Sequence, residues 1–110
     1  KKNQFCFNFK NNNFDKYKFI FDDTLNFLAS FNDKKKIIYI SDAEHNFDFE
    51  LKEFNMIKKN LAPNSVLISD NNSGSLSKFA ISNKKKLTYF NEKSKNFWYK
   101  GATTSVSYFY

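Results

Sequence analysis

The sequence contains no arginine. Its 18 basic residues are all lysines, set against 11 acidic residues and a single histidine, for a formal net charge of +7. Recognition of phosphate and of guanine favours the planar, two-pronged guanidinium group. The charge alone therefore does not point to nucleic acid, and no specific nucleic-acid partner is expected. Cysteine occurs once, as Cys6, which excludes a disulfide framework and a cysteine zinc site and makes a reducing, cytoplasmic setting the default. The two glycines, Gly74 and Gly101, lie far apart, so these residues hold no Gly-rich phosphate loop. No apolar run approaches the roughly 18 residues of a membrane span, and no signal-peptide pattern opens the chain. A membrane partner is not expected. Neither an internal repeat nor a Ser-His-Asp or Cys-His signature is visible.

What the sequence does have is aromatic and amide side chains. Of 110 residues, 41% are hydrophobic and 20% aromatic, with 15 phenylalanines. That is enough apolar material for one modest core in one domain. Plentiful Asn, Lys, Phe and Ile with scarce Gly, Pro, Ala and Trp is the signature of A/T-rich coding DNA, whatever the function.

Phe5, Phe7 and Phe9 alternate with polar residues and predict a strand; residues 17–21 predict a second. Asp22, Asp23 and Thr24 are helix caps by residue type, and Leu25, Leu28 and Phe31 follow at helical spacing. The apolar run at residues 37–40 suits a strand covered on both faces. Beyond a loop, Phe47, Leu51, Phe54, Ile57 and Leu61 share one helix face, with Asn46 as cap, Pro63 as stop, and Lys52, Glu53, Lys58 and Lys59 largely elsewhere. Residues 66–69 predict a short buried strand ending at Asp70, and residues 76–81 a short helix. Residues 87–90 and 106–110 predict two strands without a helix between them, hence an antiparallel hairpin. Strands alternating with helices define an α/β class with a mainly parallel sheet. In such sheets ligands sit beyond the carboxyl ends of the strands. That edge gathers Asp22 and Asp23, then Asp42, Glu44 and His45, then Asp70.

The stretch after the third predicted strand is the richest in chemistry. Asp42, Glu44 and the only histidine, His45, lie within four residues. A carboxylate there can orient a substrate or accept a proton, and an imidazole can act as base or ligand near neutral pH. A bland reading is open too, in which the carboxylates solvate a loop and His45 bonds to backbone.

With Asp42-Ala43-Glu44-His45-Asn46-Phe47, then Leu61-Ala62-Pro63-Asn64-Ser65 and Val66-Leu67-Ile68-Ser69-Asp70, residues 36–70 resemble the C-terminal half of class I S-adenosylmethionine-dependent methyltransferases. The pattern is that of small-molecule O-methyltransferases whose fourth strand ends in Asp-Gly-Asp-His, a small residue and an aromatic. An acidic residue eight positions after the histidine corresponds to Glu53. Asp22-Asp23-Thr24 resembles the family's Gly-Asp-Ser, and residues 96–110 resemble its terminal hairpin. The resemblance covers roughly residues 17–110. It departs from the family at the Pro-Gly-Gly turn, where Asn64 and Ser65 replace both glycines. It also lacks the first strand with its Gly-rich loop and the acidic residue that binds the ribose.

The resemblance implies a Rossmann-like, mainly parallel sheet with an antiparallel C-terminal hairpin, residues 1–110 forming a partial domain whose N-terminal part is missing. It implies S-adenosyl-L-methionine as cofactor, with Asp23 toward the adenine amino group and Asp42 beside the methyl donor and acceptor. Asp42, Glu44 and His45 are the implied catalytic residues, and the acceptor a small-molecule hydroxyl. Asp42 and Asp70 are the implied ligands of a magnesium ion, although Asn71 stands where metal-dependent relatives carry a second acid. The alternative is a non-catalytic Rossmann-like module that pairs through an exposed sheet edge. The lysine runs at 34–36 and 84–86 are expected to be solvated turns, Trp98 and Tyr99 core or hairpin packing, and Cys6 an inert strand residue.

Overall fold

The computed structural model describes residues 18, 20–42, 45–70, 73–94, 96–98, 101 and 103–109. Cys6, the strand expected around Phe5, Phe7 and Phe9, and Tyr99 lie outside them. Of the strand expected at 17–21, residues 18, 20 and 21 are described and are not in a strand.

Helix α1 spans Thr24–Ser30. The Asp23 carboxylate caps it, with Oδ1 accepting from the Leu25 and Asn26 amides at 2.9 and 3.3 Å. These are donors that the first turn cannot satisfy internally. Strand β1 (Ile38–Ser41) leads through a loop to α2 (Phe47–Ile57), capped by the Asn46 side chain, which accepts from the Phe49 amide at 3.1 Å. One 3₁₀ turn, Lys58–Asn60, closes that helix. Beyond Pro63 the chain turns at Asn64 with φ 67°. Asn is one of the few residues besides glycine that visits this left-handed region routinely, so Asn64 holds the turn without a glycine. Strand β2 (Ser65–Ser69), helix α3 (Ser75–Ser82), strand β3 (Lys86–Asn91) and strand β4 (Thr103–Phe109) complete the described elements.

The sheet order is β1-β2-β4-β3. The β1/β2 pair is parallel, in the register Ile38 to Val66 through Ser41 to Ser69, with α2 as its crossover. The β2/β4 and β3/β4 pairs are antiparallel. The molecule is thus a small α/β protein with a mixed sheet, and the expected mainly parallel sheet is corrected on this point. A parallel neighbour needs a crossover connection, usually helical. None of the described residues between β3 and β4 is helical. Strand β4 therefore turns back and enters the sheet beside β2.

Alternation gives the sheet two unlike faces. One carries Tyr39, Leu67 and Leu87 into a core with Leu28 of α1, Phe54 and Ile57 of α2, Leu61, and Leu76 and Phe79 of α3. Phe54 meets Tyr39 edge-on at 6.2 Å between ring centroids, and Phe79 stacks on Phe109 at 5.6 Å. The other face carries Ile38 and Ile40, which are 69% and 60% exposed.

The buried face of α2 differs from the expected one. Phe47 is exposed and Leu51 half-buried, whereas Glu50, Glu53, Phe54 and Ile57 are buried. The helix is rotated toward its carboxylates because serine hydroxyls from two strands and from α3 receive them. Trp98 is 72% exposed and Phe97 fully so, so Trp98 is not buried in the core. The lysines at 34–36 are exposed as expected, but Lys35 stands in an isolated parallel bridge to Leu61 rather than in a turn.

Candidate functional site

The site forms where the two parallel strands end. Their last residues, Ser41 and Ser69, are register partners, so Asp42 and Asp70 emerge from neighbouring strands, which lie about 4.8 Å apart. The Asp70 amide donates to the Ser41 carbonyl at 3.1 Å and closes the pair. Asp42 is exposed and Asp70 half-buried, with the Thr104 hydroxyl lying 3.5 Å from Asp70 Oδ1. The fold thus brings together two of the residues singled out in the sequence.

His45 is exposed in the loop that follows, directly before the cap of α2. Glu44 lies outside the described residues. Asp23 stands at the N-terminus of α1, close enough to Glu53 for its charge to act on that carboxyl. It therefore belongs to the same end of the molecule as Ser41 and Asp42. Among the described residues, both amide bonds that Asp23 accepts fall on Oδ1.

Beneath this edge lies a buried polar layer that the sequence reading did not assemble. The Ser41 hydroxyl donates to Glu53 Oε2 at 2.5 Å. The hydroxyls of Ser69 and Ser75 donate to Glu50 Oε2 at 3.2 and 2.6 Å, and Ser73 donates to the same oxygen. Glu50 and Glu53 are 0% and 1% exposed. Burial pushes the Glu53 carboxyl above its ordinary range. The Ser41 and Tyr39 hydroxyls pull it back, and the Glu50 and Asp23 charges push with the burial. Burial likewise raises the Tyr39 phenol, with the Glu53 and Glu50 charges adding to it. The signal for this layer was present in sequence: Ser41, Ser69 and Ser105 stand at inward strand positions, where a hydroxyl requires a partner.

The chemistry of the donors can be compared with each expected ligand. For magnesium, Asp42 and Asp70 supply two carboxylates, which is the number a hydrated ion commonly takes from protein. No group of three or more His, Cys, Asp or Glu residues able to hold a metal occurs among the described residues. For S-adenosylmethionine, Asp23 and Asp42 offer acceptors at one edge. A depression of about 300 Å³ lined by Lys34, Leu61, Pro63, Lys85 and Phe109 lies at the opposite end of the strands and takes no part in this site.

Neither a protein-family model nor a curated protein matches the chain.

Proposed function

We propose that the chain is the second half of an S-adenosylmethionine-dependent methyltransferase acting on a small-molecule hydroxyl. The observation that carries the reading is the pairing of Asp42 and Asp70 at the carboxyl ends of two parallel strands joined by α2, where open α/β sheets bind ligands. An antiparallel C-terminal hairpin beside that pair is the arrangement the sequence resemblance implies. When bound, S-adenosylmethionine supplies an electrophilic methyl group. Asp23 accepts a hydrogen bond from the adenine amino group, and Asp42 orients the acceptor. Glu44 or His45 takes the proton that the acceptor oxygen loses, and the alignment of acceptor and donor contributes most of the rate. Asp42 and Asp70 would hold magnesium if the reaction uses it.

The test is to read the coding DNA in frame upstream of Lys1 and to titrate the whole encoded product with S-adenosylmethionine by calorimetry. The expected result is an upstream apolar strand with a Gly-rich loop. Binding is expected to weaken roughly tenfold or more in Asp23→Asn, which keeps a helix-capping side chain but loses the charge-assisted hydrogen bond to the adenine amino group. A whole product that does not bind S-adenosylmethionine sinks the reading.

A second reading has its own observation. Strand β1 ends the described sheet, and its Ile38 and Ile40 are exposed, which suits a non-catalytic module that pairs through this edge and face. It predicts a self-associating or partner-bound protein in sedimentation, with no cofactor binding. A monomer that binds the cofactor removes it.

A further inference from the structure

The lysines are gathered by the path of the chain. Strand β4 runs antiparallel to both β2 and β3, and β1 runs parallel to β2. Strands β1, β2 and β3 therefore point the same way, and the segments that lead into them meet at one end of the molecule. Those segments carry the lysine run at 34–36, then Lys58 and Lys59, then the run at 84–86. Contacts tie them together. The Ala62 amide, just beyond Lys58 and Lys59, donates to the Lys35 carbonyl at 3.2 Å. Lys34 and Lys85 line one depression with Phe109, the last residue of β4. These lysines are exposed, save the half-buried Lys85, whose ammonium lies 5.1 Å from the Phe109 ring centroid.

The positive surplus at this end is large. The three segments hold one carboxylate, Asp33, and it pairs with Lys35. Helices α1, α2 and α3 end here too, and Lys59 donates to the Ala29 carbonyl at 3.4 Å. A helix C-terminus is worth about half a negative charge, so three of them offset only a small part of eight ammonium groups. Asp42 and Asp70 stand at the opposite ends of the strands.

Charge alone does not choose a partner, but Tyr108 narrows the choice. It is the register partner of Lys86, faces away from the core side that holds Phe109, and is 42% exposed. An aromatic ring among ammonium groups matches single-stranded nucleic acid, whose phosphates follow the charge while its bases stack on aromatic side chains. An anionic membrane would instead draw on a broad apolar helix face. Lysine without arginine supplies point charges rather than planar forks, and phosphate contacts carry no sequence information.

We propose that this lysine end, with Tyr108 as its stacking platform, binds single-stranded nucleic acid without regard to sequence. The surface is separate from the Asp42/Asp70 edge and does not depend on the methyltransferase reading.

Fluorescence anisotropy of the full chain with a fluorescein-labelled single-stranded RNA of mixed sequence, about 15 nucleotides long, tests the proposal. Binding is expected at low salt and is expected to weaken roughly tenfold or more for a fourfold rise in salt, through counterion release from several phosphates. The triple variant Lys34→Gln, Lys36→Gln, Lys84→Gln is expected to bind roughly tenfold more weakly, with a shallower salt dependence. The triple variant Lys52→Gln, Lys78→Gln, Lys93→Gln changes the net charge equally at exposed lysines outside the patch. It is expected to stay within about twofold of wild type, since distant surface charges are screened. Tyr108→Val keeps a strand-forming residue and is expected to weaken binding about fivefold or more with the salt dependence unchanged. Absence of binding at low salt overturns the proposal, as does equal weakening by the two triple variants or wild-type affinity in Tyr108→Val. Polyglutamate, duplex RNA or anionic lipid vesicles bound as tightly as the single strand would overturn it as well.

Discussion

Phe54 has no exposed surface and touches Tyr39 and Phe79 through its ring. Truncating it removes a large apolar side chain from a small core, so Phe54→Ala is expected to cost about 3–5 kcal/mol in urea unfolding, a large share of a small domain's stability. Glu53 makes a different prediction, in which pH is the variable. Its carboxyl is raised on folding above the ordinary value of 4.5. The folded state then holds a proton that the unfolded state has released, so the unfolded chain binds fewer protons and stability falls as pH rises. The contribution is full below the ordinary value and is lost as pH climbs through the raised one. Glu53→Gln keeps a polar group near Ser41 but cannot titrate. The difference in stability between wild type and Glu53→Gln, measured by denaturation across a pH series, is therefore expected to move against wild type as pH rises above 4.5. A difference that moves the other way contradicts the assignment.

At the scale of elements, the caps and turns are the parts most open to a single substitution. Asp23→Ala removes the acceptor for two amides of α1 and is expected to cost about 1 kcal/mol. Asn64→Ala places a Cβ-bearing, non-amide residue at φ 67° and is expected to cost about 1–2 kcal/mol, whereas Asn64→Gly is tolerated; thermal melts of both variants check this. These features were legible because capping and left-handed turns depend on one or two residues. Asp23, Asn46, Pro63 and Asn64 each announce their role locally. Strands β1 and β2 were legible from short apolar runs and the helix between them from its period, but the expected cover on both faces of β1 is corrected, since Ile38 and Ile40 are exposed. The buried face of α2 was not legible. Its pattern of Phe47 and Leu51 outweighed Glu50 and Glu53, and only the serines that arrive from β1, β2 and α3 make those carboxylates buriable. Ser75 lies 25 residues from Glu50, and no local pattern encodes such a pairing. The paired placement of Asp42 and Asp70 was legible because both follow apolar strands. The antiparallel β3/β4 hairpin was legible because no helical pattern separates its strands, whereas the antiparallel pairing of β4 with β2 was not, because strand direction is set by the path of a connection rather than by the residues of the strand.

At the scale of the whole molecule, the two faces of the sheet divide the labour. The helix-covered face supplies the core, and the face with Ile38 and Ile40 contributes little to it. Replacing both with threonine is expected to leave the unfolding midpoint within about 3 °C of wild type, since exposed side chains carry little stability and threonine retains strand propensity. A larger fall would mean that this face is covered in solution, and sedimentation would then identify whether a second copy covers it. None of the helices among the described residues is long and apolar enough to cross a membrane. The strand order also bears on biosynthesis. β2 and β3 never bond to each other; β4 joins them. During translation, residues 103–109 leave the ribosome after every other described element. The nascent chain therefore carries β2 and β3 unjoined until residues 103–109 emerge, and a chaperone that shields apolar β surfaces has access in that interval.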